Sequence, residues 1–245
     1  MVTANKKPLA VDQESYDALF DLAKKNSCSI RYEATVGAGL PVIDSIEKLE
    51  SSGDEIRSIL GCLSGTLGYL MSSMENGMLF SHAVREAYEK GFTEPDPRDD
   101  LSGMDVARKA LILARRLGWK LNIEDIKLES LFKPEMSSND ADDFIDNLSA
   151  LDGYFSDRIK EAGKNNCVLR YVARIENGKV SVGVENISLD TPLGSLKGTD
   201  NQITITTRRY EKNPLVVTGP GAGAEVTAAG VLNDIVAITM NGDKA

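Results

Sequence analysis

Apolar positions recur at helical spacing through most of the first two thirds of the chain and at strand-like spacing after it. Residues 1–8 read as the end of a strand running into a turn at Pro8. The polar run 11–15 leads into a helix whose apolar face is Tyr16, Leu19, Phe20 and Ala23. Residues 27–36 are rich in strand formers and stop at the turn Gly37, Ala38, Gly39. Strand, helix, strand and glycine turn, in that order, make half of a parallel α/β unit. A short amphipathic helix is expected over 41–50, a strand over 55–60 and a second glycine turn over 61–65. Helices are expected over 66–74 and over 81–90, the latter with Ser81 as N-cap. Pro95 and Pro97 exclude a helix interior or a central strand, so 91–101 is expected to be an acidic loop. A helix over 102–117 ends at Gly118, and one or two polar helices fall within 139–162.

The period then changes. Residues 167–175, 179–187, 201–210 and 214–218 read as strands, the first two joined by a hairpin turn at Glu176, Asn177, Gly178. The glycine-rich turn 219–223 closes the last strand, and a helix over 225–240 ends the fold. No internal repeat or low-complexity linker interrupts the order.

Composition narrows the class. At 245 residues the chain lies between one domain and two, and its 42% hydrophobic content suits a globular core. No apolar run approaches a membrane-spanning length, and the first residues lack the apolar core of a signal peptide. A net charge of -9 argues against nucleic acid or an anionic membrane as partner, because both need a basic face. Cys28, Cys62 and Cys167 make neither a metal pattern nor an even disulfide framework, which points to a reduced, cytoplasmic setting. With His82 as the single histidine, a multi-histidine metal site is excluded and a Ser-His-Asp triad is disfavoured. The chain opens at MVTANKKPLA with no complete element before it, and the opening reads as a cut.

The densest chemistry lies in 93–109. Asp105 and Lys109 are four apart and share a helix face. Glu94, Asp96, Asp99 and Asp100 crowd the preceding proline-stiffened loop. Two readings stand side by side. A lysine among carboxylates on a rigid helix can do acid/base work, and an ordinary exposed i,i+4 ion pair contributes only about 0.3–0.5 kcal/mol. A further alternative takes Asp96, Asp99, Asp100 and Asp105 as a Mg²⁺ site for phosphoryl chemistry, although no P-loop accompanies them. The 219–223 turn offers helix N-terminal amides to a polar ligand or serves packing alone. The Gly37–Gly39 turn either directs carbonyls at a cation or is simply tight. Lys6 and Lys7 either bind an anion or are solvated, and His82 and Trp119 read as structural.

Five separated segments carry a resemblance to homoserine dehydrogenase that covers essentially the whole chain. They are VTANKKPLA (2–10), YEATVGAGLP (32–41), GCLSGTLGY (61–69), GFTEPDPRDDLSGMDVARK (91–109) and GAGAEVTAAG (221–230). The wording of the second and third is closer to bifunctional aspartokinase–homoserine dehydrogenases, so a fused aspartokinase in the parent protein is one implication. The resemblance implies an NAD(P)-dependent oxidoreductase of the aspartate pathway. Such an enzyme interconverts L-homoserine and L-aspartate 4-semialdehyde on the route to threonine and methionine.

Carried over residue by residue, Lys109 looks like the general acid and Lys6 like the second active-site lysine, set between nicotinamide and substrate. Glu94 and Asp105 resemble the carboxylates that hold the substrate, with Asp100 supporting Lys109. Gly91 and Gly223 lie where loops meet cofactor. Glu33, Val36, Ala38 and Leu40 match a monovalent-cation site made largely of backbone oxygens, with a sodium-like ion as cofactor. The chemistry is consistent, because a developing alkoxide needs a proton donor and fixed positive charge.

The implied fold is α/β. A mixed-sheet catalytic and dimerisation domain over 41–223, with helices on one face, accompanies a remnant of a Rossmann nucleotide-binding domain formed by 1–40 and the helix 224–245. The late strands are expected to form a homodimer contact. The sequence departs from the family in two places. No Gly-x-Gly-x-x-Gly occurs in it, and Pro220 stands where a small residue is usual. The chain is therefore expected to be a truncated form with weak or no turnover. A non-catalytic dimerisation or substrate-binding module is the alternative.

Overall fold

A computed structural model describes residues 1–137 and 140–242. Asn139, where a polar helix was expected to begin, and 243–245, at the end of the expected terminal helix, lie outside the described residues.

One six-stranded mixed sheet organises the chain. Its strands are β1 (Ile56–Cys62), β2 (Lys127–Leu128), β3 (Cys167–Glu176), β4 (Lys179–Ser188), β5 (Asn201–Thr207) and β6 (Leu215–Gly219), in the order β2-β4-β3-β1-β5-β6. Every pair is antiparallel except β2 with β4. The hairpin β3–β4 turns at Asn177 and Gly178, both at positive φ, as an Asn-Gly turn requires. Alternation then sorts the side chains. Leu169, Tyr171, Ala173 and Ile175 of β3, Val180, Val182 and Val184 of β4, and Ile203 and Ile205 of β5 enter the main core. Val172, Cys62 and Ile187 face the other way and meet Leu193 and Leu196.

The helices are α1 (Gln13–Lys25), α2 (Val42–Ser51), α3 (Gly65–Glu75), α4 (Phe80–Glu89), α5 (Pro97–Leu101), α6 (Met104–Arg116), α7 (Ala141–Asn147), α8 (Asp152–Lys164), α9 (Pro192–Ser195) and α10 (Ala224–Gly242). Helices α3, α6 and α8 pack on β3, and α6 also on β4, so most of the helical layer covers one face. Leucines such as Leu67, Leu70, Leu111 and Leu113 are removed from water there, each contributing roughly 1.5–3 kcal/mol. The short α9 covers part of the opposite face, where the buried Arg170 guanidinium donates to the carbonyls of Leu193, Gly194 and Leu196 and pairs with Glu75. No helix among the described residues is long and apolar enough to cross a membrane.

Several local expectations are corrected. Residues 27–36 do not form a strand. Arg31 makes an isolated parallel bridge to Val2, and Glu33–Thr35 winds into a 3₁₀ turn. The backbone there is spent on tertiary partners, since the Glu33 N–H donates to the Asp234 carboxylate of α10. The expected strand end at 1–8 is likewise reduced to that single bridge at Val2, so the strand, helix, strand order expected around α1 is not formed. Helix α4 starts at Phe80 with Leu79 in the cap position, and Ser81 instead bonds the Asp152 carboxylate with both its N–H and its hydroxyl. Inside the expected loop 91–101 lies α5, which Pro97 opens from the first position, where no N–H is needed, and which the Asp96 carboxylate caps. Strand β5 stops at Thr207 rather than continuing to Tyr210, and the two-residue β2 had no visible pattern.

Candidate active site

Three segments meet at one end of the sheet. The strand β1 delivers Leu63 and Ser64 to the start of α3, where the Ser64 hydroxyl accepts the Leu67 N–H as N-cap. The 91–96 loop and α5 bring Glu94 and Asp100. Helix α6 brings Asp105 and Lys109, and it begins from Gly103, whose φ of +72° suits glycine. A Cβ at Gly103 would lie 1.8 Å from the Tyr171 hydroxyl, so glycine is also the residue that fits there. Together with Thr199, Asp200 and the 220–222 loop these segments line a cleft of about 440 Å³.

Lys109 lines the cleft. Its side chain is 11% exposed, and Nζ donates to the Leu63 carbonyl at 2.7 Å and meets Asp105 Oδ2 at 2.9 Å. Lys6 Nζ reaches Asp105 Oδ1 at 3.2 Å. One carboxylate thus bridges two ammonium groups. Burial works to raise the Asp105 carboxyl, but Lys109 and then Lys6 outweigh it and hold it below the usual carboxylate range. Asp100 behaves in the opposite way. Burial, helped by the nearby Glu94 and Asp105 charges, pushes its carboxyl up even though it accepts the Glu94 N–H at 2.8 Å.

Of the residues singled out from sequence, Lys109, Asp105, Asp100, Glu94 and Gly91 line this cleft, and Lys6 joins it through Asp105. Gly223 borders an apolar patch of α10 instead. Glu33, Val36, Ala38 and Leu40 form a separate group. The Glu33 carboxylate is buried and accepts the N–H groups of Val42, Ile43 and Asp44, each at 2.7 Å, so it caps α2. Burial pushes that carboxyl up to about 7, against the three amides. Ala38 sits at a φ of +55°. The Mg²⁺ alternative fails on geometry. Asp96 is taken by α5 and Arg98, Asp100 by the Glu94 amide and Asp105 by two lysines, and no three such side chains gather as a ligand set among the described residues. His82 is exposed and Trp119 packs against the core.

Sequence reasoning passed over Thr66, Thr199 and Asp200, which also line the cleft. Thr66 donates its hydroxyl to the Phe92 carbonyl at 2.6 Å, tying α3 to the 91–96 loop. A Ser-Gly-Thr run before a helix is an N-cap signal that could have flagged it.

The class is that of an α/β protein with a mixed sheet, at one end of which a buried ammonium is held between a carbonyl and a shared carboxylate. A sequence model of homoserine dehydrogenase matches residues 41–236, and the chain belongs to that family. The homoserine dehydrogenase of Saccharomyces cerevisiae is 43% identical over 248 residues, covering 98% of this chain and 68% of the relative. Bifunctional aspartokinase/homoserine dehydrogenase 1, chloroplastic, of Arabidopsis thaliana is 44% identical over 243 residues. That match covers 98% of this chain, which spans only 27% of the bifunctional protein. A hyperthermophilic archaeal homoserine dehydrogenase solved in complex with NADPH superposes with a TM-score of 0.74 at 30% identity, over 98% of this chain and 64% of that one.

Proposed function

We propose that this cleft serves the NAD(P)-dependent interconversion of L-homoserine and L-aspartate 4-semialdehyde. The observation that carries the reading is the Lys109 ammonium, buried, facing the cleft and bonded to Leu63 and Asp105. An ammonium has three N–H donors. Two are engaged, which leaves the third for the substrate's carbonyl or hydroxyl oxygen. Lys109 then donates a proton to the forming alkoxide in one direction and accepts it back in the other. Lys6 adds fixed positive charge beside it, and Asp105 holds both lysines in place. Glu94 and Asp105 receive the substrate ammonium, and Asp100 supports the loop by accepting the Glu94 N–H.

A nicotinamide, when bound, supplies or accepts the hydride. Gly91, Gly223 and Lys6 are the residues that would lie along it, and the small residues Gly221 and Ala222 leave the cleft wall open to a flat ring. A monovalent cation would take backbone oxygens of Val36, Ala38 and Leu40, with Glu33 anchoring the turn. Residues 1–40 together with 224–245 are read as part of a nucleotide-binding domain, and 41–223 as the catalytic and dimerisation domain. A homodimer, a fused aspartokinase and a cytoplasmic setting complete the reading.

The assay is homoserine-dependent NADP⁺ reduction. It is made on the 245 residues alone and on the same chain joined to a family-type nucleotide-binding half. Because no Gly-x-Gly-x-x-Gly occurs in the 245 residues, they are expected to turn over weakly and the joined protein well. Loss of homoserine dependence in both overturns the function. Equal activity in both overturns only the expectation of impairment.

A further inference from the structure

Asn201 opens β5 directly opposite Gly219, the last residue of β6. Its side chain points to the same side as Ile203 and Ile205, toward the helices and the cleft end. It is 1% exposed, yet neither Nδ2 nor Oδ1 meets a hydrogen-bond partner among the described residues. The 220–222 loop, which forms one wall of the cleft, rests on this carboxamide. A Cβ at Gly221 would come within 1.9 Å of Nδ2, 2.0 Å of Cγ and 2.5 Å of Oδ1. Leaving a buried donor and acceptor unmatched is destabilising, because both have given up their bonds to water. Such costs persist where the groups are used in another state of the protein. The loop can supply that state, since it lies against the amide at Gly221 and Gly223 at its far end has a φ of +128°.

We propose that Asn201 is a positioning residue that clamps the 220–222 loop around bound substrate. Its carboxamide pairs with the loop backbone only when the cleft is filled. This rests on the reading that homoserine occupies the cleft.

Asn201→Leu keeps the shape and removes both polar atoms. Homoserine binding is measured by titration calorimetry, and melting without ligand by calorimetric scan. The expected result is an unchanged or higher melting temperature without ligand, because no hydrogen bond is lost there, together with about tenfold weaker homoserine binding. A lower melting temperature with unchanged affinity overturns the proposal, since that pattern marks a merely structural side chain. A wild-type chain that does not bind homoserine refutes the substrate assignment instead. In that case the clamp is judged by Gly221→Ala, expected to lower the melting temperature, and by adding Asn201→Ala, expected to restore it. Additive losses in the pair overturn the contact on which the clamp depends.

Discussion

Replacing Lys109 with methionine removes that residue's three N–H donors while keeping an unbranched, helix-compatible side chain in α6. The structure sets both sides of the outcome. On the stability side, the Leu63 carbonyl loses a donor at 2.7 Å and Asp105 loses its nearer cation, keeping Lys6 at 3.2 Å. A lost hydrogen bond of this kind costs about 1–3 kcal/mol, offset in part because an ammonium no longer has to be buried. At about 2–4 °C per kcal/mol for a chain of this size, melting should fall by no more than roughly 10 °C. On the catalytic side, a positioned general acid contributes about 10²–10⁴ in rate, equivalent to roughly 3–5 kcal/mol. The variant should therefore fold and lose turnover by that factor in homoserine-dependent NADP⁺ reduction by the joined protein. The Asp105 carboxyl, relieved of its nearer cation, should move back up toward the ordinary range. Turnover near wild type in a folded Lys109→Met protein would refute the acid assignment.

Two further outcomes follow from the same geometry. Glu33, raised to about 7 in the fold from an ordinary 4.5, binds its proton more tightly folded than unfolded. Its contribution is therefore fully present below pH 4.5 and fades as pH rises through about 7, by roughly 3 kcal/mol. Chemical denaturation across that range should show the decline, and Glu33→Gln should flatten it; an unchanged slope would count against the burial argument. Gly103→Ala puts a methyl into the Tyr171 hydroxyl, which donates to the Glu129 carbonyl at 2.6 Å, at a left-handed backbone position. Thermal melting should report a loss of about 2–4 kcal/mol, and a neutral result would mean that α6 can start elsewhere.

The candidate cleft was legible because its chemistry is local. Asp105 and Lys109 are four apart, and any helix through them puts both on one face. The proline pair likewise placed a break before α6, although Pro97 turned out to open α5 rather than to prevent a helix. Residues 27–36 were misread for the complementary reason. Their β-branched and aromatic content is a propensity, and propensity yields when the backbone finds better partners. Glu33 found Asp234, two hundred and one positions away, and no local pattern announces such a contact.

What the amino-acid order determined by itself was therefore the periodic elements, the i,i+4 pair and the family resemblance carried by contiguous motifs. Only the tertiary structure decided that Lys6 shares Asp105 with Lys109, that Leu63 offers its carbonyl to that ammonium, and that the acidic loop is partitioned among separate partners instead of gathering on a metal. Only it placed the buried, unmatched Asn201 amide beneath Gly221. Periodicity records which face of an element is buried. Which charge ends beside which depends on long-range packing, where desolvation makes each unmatched group costly and so selects its neighbours.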